Sequence, residues 1–435
     1  MNEIYEPAED SYLLQKAVRD YATGRVLDLG TGSGLQALTA VRMSDVKEVI
    51  AVDINPQAVQ QLQEKITQEK LRKLKVIQSD LLEQAYGKFN TIIFNPPYLP
   101  HDKGITDPAI YGGKKGWELS ERFFHQVSGF LFSDGFILFL FSTHTNKKKI
   151  EEMIAHHLLE FEEVGMEKLS FEELYVYRIT KSKTLRDLEK RGIEQIHYIA
   201  RGKRGLVFRG VLDRSQLIKT HFPSAKDILP VAIKLPRGES KAVERIRNEA
   251  AWLTLVNRKG IGPQLLFSED NYLVMEFIEG ELFVDWLEHQ PAAEIGKAII
   301  NILRQCHTLD QFQFTKEEMH RPQKHIIMGQ HNRPVLIDFE RSSKTLKPKN
   351  VTQFMEFICR IHDTLAKKKV NISVLALRAS AKEYKETYDP GIIRSVEGLV
   401  RSLNKGASPL STTEFHSGKK EGIVVSLIVR CSLVS

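Results

Sequence analysis

The chain has 435 residues, of which 42% are hydrophobic and 27% are charged, and its formal net charge is +7. This length exceeds one ordinary core, so we expect two domains of ordinary soluble composition, and the positive charge permits contact with nucleic acid without requiring it. Three widely separated cysteines argue against a disulfide framework or a cysteine zinc site. The acidic start is unlike a signal peptide, and no apolar run approaches the roughly 20 residues of a membrane helix, so we expect a cytoplasmic protein.

Strand and helix patterns alternate along the first part of the chain. The predicted strands are Arg25–Leu29, Glu48–Asp53, Lys75–Gln78, Thr91–Phe94, Gly135–Phe141 and Tyr175–Ile179. The unbroken apolar run Gly135–Phe141 is typical of a strand that is covered on both faces of its sheet. The alternation favours a doubly wound, Rossmann-like α/β sheet, which we assign to residues 1–182.

A glycine-rich loop follows the first predicted strand and precedes a helix. Its sequence is Asp28-Leu-Gly-Thr-Gly-Ser-Gly34, so the glycines are Gly30, Gly32 and Gly34. Glycine permits a tight turn and lets a ligand approach the backbone closely. The three glycines are therefore candidate cofactor contacts.

Acidic residues lie at the ends of three consecutive predicted strands, and the carboxyl ends of such strands converge on one crevice. Asp28 suits the amino group of a methionine, Asp53 the ribose hydroxyls, and Asp80 the exocyclic amine of adenine. An NAD-type dinucleotide is the competing interpretation. It prefers Gly-x-Gly-x-x-Gly, and a carboxylate beside the loop disfavours a pyrophosphate. The pattern therefore favours S-adenosylmethionine (SAM) as the cofactor.

The segment Asn95-Pro96-Pro97-Tyr98 follows the fourth predicted strand and is expected in the same crevice. The prolines lack N–H groups and fix their φ angles, which presents the carbonyls without competing donors. The Asn95 oxygen and the Pro96 carbonyl would each accept one N–H bond of a planar amino group and direct its nitrogen at a methyl donor. Tyr98 would stack on the flat acceptor. We predict that these four residues form the catalytic loop of a methyltransferase.

Residues 3–180 resemble the release-factor glutamine methyltransferases of the HemK/PrmC type. The resemblance rests on the motifs above, on Tyr5-Glu-Pro-Ala-Glu-Asp-Ser11 before the first strand, and on Tyr111-Gly-Gly-Lys-Lys-Gly116 after the catalytic loop. The first of these two segments is the more specific one. It is similar to the short archaeal and eukaryotic branch, which lacks the bacterial N-terminal helical domain.

The resemblance implies further contacts and partners. In the short branch the Glu-Pro-x-Glu-Asp segment closes over SAM, which makes Glu6, Pro7 and Asp10 candidate cofactor contacts and adds Asn95 to the SAM site. The implied substrate is the glutamine amide in the Gly-Gly-Gln loop of a class I release factor. A small zinc-binding activator subunit is the implied partner.

Adenine N6 methyltransferases acting on DNA or RNA share the four-residue motif, so the motif alone does not separate a nucleobase from an amide. A DNA enzyme would need a large region to read bases and hold a flipped one, and no inserted region of that kind is evident. The sequence favours the glutamine amide. The alternative is a nucleic-acid adenine methyltransferase whose C-terminal half is a binding scaffold.

The pattern changes after a charged stretch at residues 181–190. Strands are predicted near residues 195–200, 206–211 and 229–235, a helix over 239–257, strands near 264–268 and 271–276, and mostly helices beyond. A run of strands followed by helices indicates a separate α+β unit, which we assign to residues 193–388. Residues 389–435 are predicted to be a poorly ordered tail.

The second domain carries patterns of a protein kinase in the expected order. A glycine loop with Gly202 and Gly205 lies between two predicted strands. Val231-Ala-Ile-Lys234 is typical of the third kinase strand, in which Lys234 contacts nucleotide phosphates and pairs with a helix carboxylate, here Glu249. These residues form the predicted ATP site, so we expect a protein-kinase-like fold.

Two later segments complete that pattern. Glu276 lies in the predicted strand and hinge that would receive adenine. Asp338, in Leu-Ile-Asp-Phe-Glu, stands at the position of the Mg²⁺ ligand in the Asp-Phe-Gly motif. Over residues 193–370 the domain resembles the small RIO-like atypical kinases.

The catalytic loop departs from the kinase pattern. At the usual spacing before Asp338, His320 stands where the catalytic aspartate is expected and His325 where an asparagine binds the second metal ion. We consider His325 as a metal ligand and Glu318 as a displaced base. The domain is then either an ATP-dependent kinase or a pseudokinase.

Overall fold

The computed structural model describes residues 4–100, 111–201, 205–213, 228–236 and 240–402. The chain divides into two compact units. Among the described residues, the first unit contains 4–100, 111–197 and 213, and the second contains 198–201, 205–212, 228–236 and 240–402. None of the helices in these ranges has the length and apolar character that crossing a bilayer requires.

The first unit is built on a seven-stranded sheet. Its strands are β1 (Gly24–Leu29), β2 (Val46–Asp53), β3 (Leu74–Gln78), β4 (Phe89–Phe94), β5 (Leu131–Ser142), β6 (Leu159–Lys168) and β7 (Glu173–Lys181). Its helices are α1 (Glu9–Tyr21), α2 (Leu35–Val41), α3 (Pro56–Gln68), α4 (Glu118–Val127), α5 (Lys147–His156) and α6 (Lys183–Lys190). Each predicted strand of this unit lies within an observed one.

The strand order is β3-β2-β1-β4-β5-β7-β6. Neighbouring strands from β3 to β5 are parallel, whereas β7 is antiparallel to both of its neighbours. The chain passes from β3, at one edge, to β4, on the other side of β1. A crevice forms outside the carboxyl ends of the strands at such a switch point. The predicted doubly wound α/β fold is confirmed.

Strand β5 shows why the sheet is covered on both faces. Successive side chains of a strand point to opposite faces. Leu138 and Leu140 belong to the core that includes α1 and α2. Phe139 instead packs on Phe123 and Phe124 of α4, with ring centroids 6.0 and 5.2 Å apart. The unbroken apolar run was therefore correctly interpreted.

The second unit combines strands at its start with helices towards its end. Its strands are β8 (Ile193–Arg201, whose first residues belong to the first unit), β9 (Gly205–Asp213, whose last residue belongs to the first unit), β10 (Ile228–Pro236), β11 (Leu265–Glu269), β12 (Tyr272–Glu276), β13 (Glu281–Leu282), β14 (Phe314–Lys316), β15 (Ile326–Met328), β16 (Pro334–Leu336) and β17 (Ser342–Lys344). Its helices are α7 (Ser240–Val256), α8 (Phe283–Leu287), α9 (Ala292–Gln311), α10 (Asn350–Arg360), α11 (His362–Lys367), α12 (Val374–Thr387) and α13 (Pro390–Ser402). Five strands form one sheet in the order β11-β12-β10-β9-β8. This architecture is the predicted kinase-like α+β unit.

The prediction that a poorly ordered tail begins at residue 389 is wrong for residues 390–402. They form α13, in which Ile392, Ile393 and Val396 are at most 5% exposed within the core of the unit. Glu397 of the same helix accepts two hydrogen bonds from Arg304, at 2.6 and 2.7 Å. The biased composition begins only after this helix, and residues 403–435 lie outside the described residues.

Candidate active site

A cavity of about 630 Å³ lies at the carboxyl ends of the parallel strands in the first unit. Its lining includes Asp28 from β1, Asp53 from β2, Asp80 after β3 and Asn95 after β4. The strand ends therefore bring the three predicted acids and the predicted catalytic asparagine to one place. The volume is in the ordinary range for a cavity that encloses a small molecule.

The glycine loop contributes backbone to this cavity. Gly30 and Gly32 line it with φ angles of 62° and 51°, a left-handed conformation that favours glycine. A Cβ atom on Gly30 would meet only Phe94, at 3.9 Å, so the space beside the backbone is open to a ligand. Gly34 is not among the lining residues. It precedes α2 with a φ of 82°, and a Cβ atom there would lie 2.7 Å from Leu62.

Asp28 is the most enclosed acid of the cavity, with 2% of its surface exposed. Its Oδ2 accepts hydrogen bonds from Thr31 Oγ1 at 2.6 Å and from the Ala37 N–H at 3.0 Å. Burial raises the pKa of Asp28 to about 7, although both hydrogen bonds favour the ionised form. A cationic group in the cavity would therefore find a carboxyl group that ionises near neutral pH.

Asp53 and Asp80 have different partners. Each Asp53 oxygen accepts one backbone N–H at 2.8 Å, from Gly32 and from Asn55, which ties the end of β2 to the glycine loop. Asp80 instead accepts from Arg122 Nη2 of α4 at 2.8 Å, and Arg122 also lines the cavity. Arg122 was not predicted from the sequence, because an isolated arginine in an amphipathic helix carries no pattern of its own.

The catalytic loop is anchored by a residue of α1. The Asn95 Nδ2 donates to Asp10 Oδ2 at 2.8 Å, and its Oδ1 is buried without a hydrogen-bond partner among the described residues. Pro96 is buried, and Pro97 and Tyr98 are half-buried in the cavity lining. Burial, reinforced by the charge of Asp10, raises the pKa of Tyr98, so the phenol remains protonated.

The segment after the catalytic loop packs directly against it. The Gly112 N–H donates to the Leu99 carbonyl at 3.0 Å. A Cβ atom on Gly112 would collide with the Pro97 carbonyl, and one on Gly116 with the Tyr98 carbonyl. These two glycines therefore let the backbone of residues 111–116 hold the loop in place, a role that the sequence pattern alone did not identify.

The segment before α1 reaches the cavity only in part. Tyr5 and Asp10 line it, and the Tyr5 hydroxyl donates to Asp10 Oδ1 at 3.1 Å. Glu6 is exposed, Pro7 is half-buried, and neither is among the lining residues. Asp10 thus contacts the catalytic asparagine, and the SAM contacts predicted for Glu6, Pro7 and Asp10 remain predictions.

The second unit forms the predicted pair between its lysine and helix carboxylate. Lys234 Nζ on β10 lies 2.6 Å from Glu249 on α7, 3.0 Å from Asp338 and 3.6 Å from Glu340. Although burial opposes it, the three carboxylates raise the pKa of Lys234 well above its usual value. Oxygens of the same carboxylates lie within 4.8 Å of one another, so an ammonium group stands where a metal ion would be held.

The catalytic loop of this unit is unlike a kinase loop in structure as well as in sequence. His320 is exposed, and its Nδ1 lies 2.6 Å from the Glu317 carbonyl. Glu318 is 4% exposed with its Oε2 3.3 Å from Lys316 Nζ, so it is not placed as an accessible base. Lys316, which the sequence analysis missed, is fully buried and also donates to the Asp338 carbonyl.

His325 faces the predicted metal ligand. Its Nδ1 lies 3.6 Å from Asp338 Oδ2, which is too long for a hydrogen bond, and has no partner among the described residues. Burial, together with the charge of Lys316, lowers the pKa of His325 to about 3, so the ring is neutral. Asp338 has a φ of 66° and, although burial opposes ionisation, Lys234 and Lys316 hold its pKa below the usual range.

Of the remaining predicted ATP contacts, the structure describes Gly205 and Glu276 but not Gly202. Gly205 begins β9, and a Cβ atom there would lie 2.7 Å from the Leu235 carbonyl, so this glycine allows close packing of β9 and β10. The Glu276 carboxylate accepts from the Gln264 N–H at 3.2 Å. Gly202 lies outside the described residues.

Fold and cavity together define a SAM-dependent methyltransferase joined to a kinase-like unit. The family described as "Methyltransferase small domain" matches residues 8–169, and "Phosphotransferase enzyme family" matches residues 225–367. Both family matches agree with the folds of the units that contain them. The kinase-like architecture predicted for the second unit is thereby confirmed.

Relatives narrow the class of the first unit. A putative protein N5-glutamine methyltransferase of Methanocaldococcus jannaschii is 36% identical over 179 residues, which cover 40% of this chain and 90% of the relative. Methyltransferase HEMK2 of Homo sapiens is 29% identical over 195 residues, covering 42% of this chain and 91% of the relative. A release factor glutamine methyltransferase of Deinococcus radiodurans is 32% identical over 136 residues, covering 29% and 49%. The chain belongs to the HemK-type family of protein N5-glutamine methyltransferases, as its motifs predicted.

Proposed function

We propose that the first unit methylates the side-chain amide nitrogen of a glutamine in a class I release factor. The observation that supports this most directly is that Asn95–Tyr98 line the same cavity as the glycine loop and the acids Asp28, Asp53 and Asp80. The name of the M. jannaschii relative specifies an N5-glutamine acceptor, and that of the D. radiodurans relative specifies a release factor. Both support this substrate for the first unit.

The cavity residues fit SAM by their chemistry. Asp28 would hold the cationic amino group, Asp53 the ribose hydroxyls, and Asp80, shared with Arg122, the amine of adenine. Gly30 and Gly32 would let the cofactor lie against the backbone. When bound, SAM supplies an electrophilic sulfonium methyl group.

The chain's own contribution to the reaction is to orient the acceptor. An amide nitrogen is a poor nucleophile because its lone pair is delocalised. Asn95 Oδ1 and the Pro96 carbonyl would each accept one of its N–H bonds, which directs the lone pair at the methyl group and stabilises the charge that develops. The proton would leave the nitrogen for solvent only after methyl transfer, so no residue of the chain would have to act as a base before attack. The protonated Tyr98 would pack on the flat amide.

Labelled SAM with competing acceptors tests this proposal. We expect label in a purified class I release factor and none in the same factor with the glutamine of its Gly-Gly-Gln loop changed to Asn, which keeps an amide but shortens it. Duplex DNA and transfer RNA serve as acceptors for the alternative. Label in adenine rather than in the release factor would contradict the proposal and favour the nucleic-acid methyltransferase.

For the second unit we propose an ATP site. The pair between Lys234 and Glu249 supports this assignment, because such a pair positions the phosphates in kinases. Asp338 and the neutral His325 would hold Mg²⁺, for which Lys234 would have to give up part of its contact with Asp338. Calorimetry with ATP and Mg²⁺, followed by a phosphotransfer assay, tests it. Binding that survives Asp338→Ala unchanged would contradict the metal site, and phosphotransfer that survives it would contradict a kinase mechanism.

The partner and the compartment are also proposals. We propose that a small zinc-binding activator subunit associates with the first unit, supported by the family resemblance, and that the protein acts in the cytoplasm, where the proposed release-factor substrate takes part in translation. Co-purification of such a subunit from the native host, with its zinc content measured, tests the first. Fractionation of the same cells tests the second.

A further inference from the structure

The position of Asp10 suggests a role that is separate from cofactor contact. Asp10 lies in the first turn of α1 and is 4% exposed, and its Oδ2 accepts the Asn95 Nδ2 at 2.8 Å across 85 residues of sequence. Its other oxygen accepts from the Ser11 N–H at 2.5 Å, from Ser11 Oγ at 3.1 Å and from the Tyr5 hydroxyl at 3.1 Å. Both oxygens are therefore held by donors.

This arrangement decides which end of the Asn95 amide faces Asp10. A carboxylate has no donor, so only the NH₂ end of an amide makes a hydrogen bond with it. Rotating the Asn95 amide by half a turn would place two acceptor oxygens against each other and lose the bond. The Asn95 Oδ1 is consequently left as the acceptor on the other side, where it is buried without a partner among the described residues.

We infer that Asp10 is a positioning residue, which fixes Asn95 with its oxygen directed at the substrate N–H. The inference rests on the proposed function, since it concerns the same acceptor amide. With the opposite orientation, the Asn95 NH₂ group would meet the substrate NH₂ group, donor against donor. Asp10 acts through Asn95 and need not touch the substrate.

The hydrogen bonds around Asp10 determine how the Asn95 amide should respond to the substitution Asp10→Asn. In Asp10→Asn, the amide oxygen of the new side chain has to occupy the position that accepts from the Ser11 N–H, because a backbone N–H only donates. The new NH₂ group then faces Asn95, whose amide has to invert to offer its oxygen. We expect kcat to fall by about 100-fold, the scale of losing one oriented hydrogen bond in a transition state, while the SAM dissociation constant stays unchanged.

A second substitution should relieve this loss. In Asp10→Asn/Asn95→Asp, one oxygen of the new carboxylate at position 95 accepts from residue 10 and the other remains an acceptor for the substrate, with the total charge preserved. We expect the double variant to be about tenfold or more faster than Asp10→Asn, because the interaction between contacting residues is not additive. Asp20→Asn, the same change at an exposed position of α1, is the control and should match the wild type.

The test compares kcat, the SAM dissociation constant and side-chain amide exchange in these variants. Wild-type kcat in Asp10→Asn, a double variant no faster than Asp10→Asn, or a loss of SAM affinity that parallels kcat would overturn the inference. If the wild type labels an acceptor other than the release factor, the proposed substrate fails, and the same variants are compared on that acceptor. Exchange of the Asn95 amide protons, identified by their loss in Asn95→Asp, requires no acceptor. It should be slow in the wild type and fast in Asp10→Asn, and equal rates would overturn the inference.

Discussion

The two units treat their buried acids in opposite ways. In the first unit, Asp28 and Asp53 are held by uncharged donors of the glycine loop, of α2 and of the turn after β2, and they line a cavity. In the second unit, Glu249 and Asp338 share the ammonium group of Lys234. Acids held by uncharged donors remain available to pair with a cationic ligand, whereas acids that share a lysine are already paired with a cation. The first site is thus prepared for a cationic ligand, and the second has to rearrange to accept a metal ion.

The largest effect that this comparison predicts concerns Lys234. In Lys234→Met the ammonium group is lost and Glu249, which is 1% exposed, keeps no cationic partner among the described residues, so the second unit should lose about 3–5 kcal/mol of stability. Urea unfolding in a Trp117→Phe background measures this, because Trp252 and Trp286 then report on the second unit alone.

The matched control for Lys234 is Lys297→Met. Lys297 also pairs with a glutamate, at 2.6 Å, but its side chain is 73% exposed. Surface pairs contribute little, so we expect a change within about 0.5 kcal/mol. Equal changes in unfolding free energy for the two substitutions would show that the acids around Lys234 are solvated. The proposed contrast between the buried acids of the two units would then be wrong.

A smaller effect is expected where backbone supports the catalytic loop. Gly116 has a φ of 82° and no room for a Cβ atom beside the Tyr98 carbonyl. Gly116→Ala should cost about 1–3 kcal/mol of stability and slow methyl transfer by displacing the loop. Gly129→Ala in the same unit is the control, since a Cβ atom there meets nothing within 4 Å. A loop that tolerates Gly116→Ala as well as Gly129→Ala is not held by close packing.

The smallest effect is a dependence of SAM affinity on pH. The pKa of Asp28 is about 7 in the folded protein, against an ordinary value of 3.8. In the absence of ligand, the protonated group therefore contributes stability that is fully present below pH 3.8 and is lost as pH rises through 7. Binding of a cationic amino group has the opposite sign, because it requires the carboxylate. The ionised fraction of a group with this pKa rises from about 3% at pH 5.5 to about 50% at pH 7, so the affinity should rise by about 15-fold over this window.

Calorimetric titration of SAM over that pH window checks the prediction. Asp28→Asn should bind weakly with a flat profile. Asp53→Asn should bind weakly but keep the slope, since only a contact with the ribose is removed. A wild-type affinity that is constant from pH 5.5 to 7 would contradict the role of Asp28 and, with it, the distinction between the two sites.

The meeting of the strand ends at one site could be predicted, because neighbouring parallel strands all end at the same edge of a sheet. Asp28 and Asp53 lie at the carboxyl ends of apolar strands and Asn95 directly follows another, and the parallel strands bring them to one cavity. The fold class could be predicted from the same strand pattern, and it was confirmed. Strand β6 was missed because it is an edge strand whose exposed acidic residues resemble a loop. The binding roles of the cavity residues remain predictions.

Contacts between distant segments could not be predicted from one sequence. Nothing in Phe314-Thr-Lys316 marks Lys316 as a fully buried cation that contacts the Asp338 carbonyl. The hydrogen bond between Asp10 and Asn95 joins α1 to the end of β4, and only the packing of α1 against the sheet brings them together. Likewise, the sequence predicts a tail where α13 lies, because the composition after this helix is biased.

The most direct test of the central claim is the rate of methyl transfer from labelled SAM to the release factor in Asn95→Ala. We predict a fall in kcat of about 100- to 1000-fold that far exceeds any loss of SAM affinity, because the main role proposed for Asn95 is to orient the acceptor. Asn301→Ala, at an exposed position of α9, is the matched control and should transfer at the wild-type rate. Methyl transfer in Asn95→Ala at the rate of Asn301→Ala would contradict the assignment of the active site.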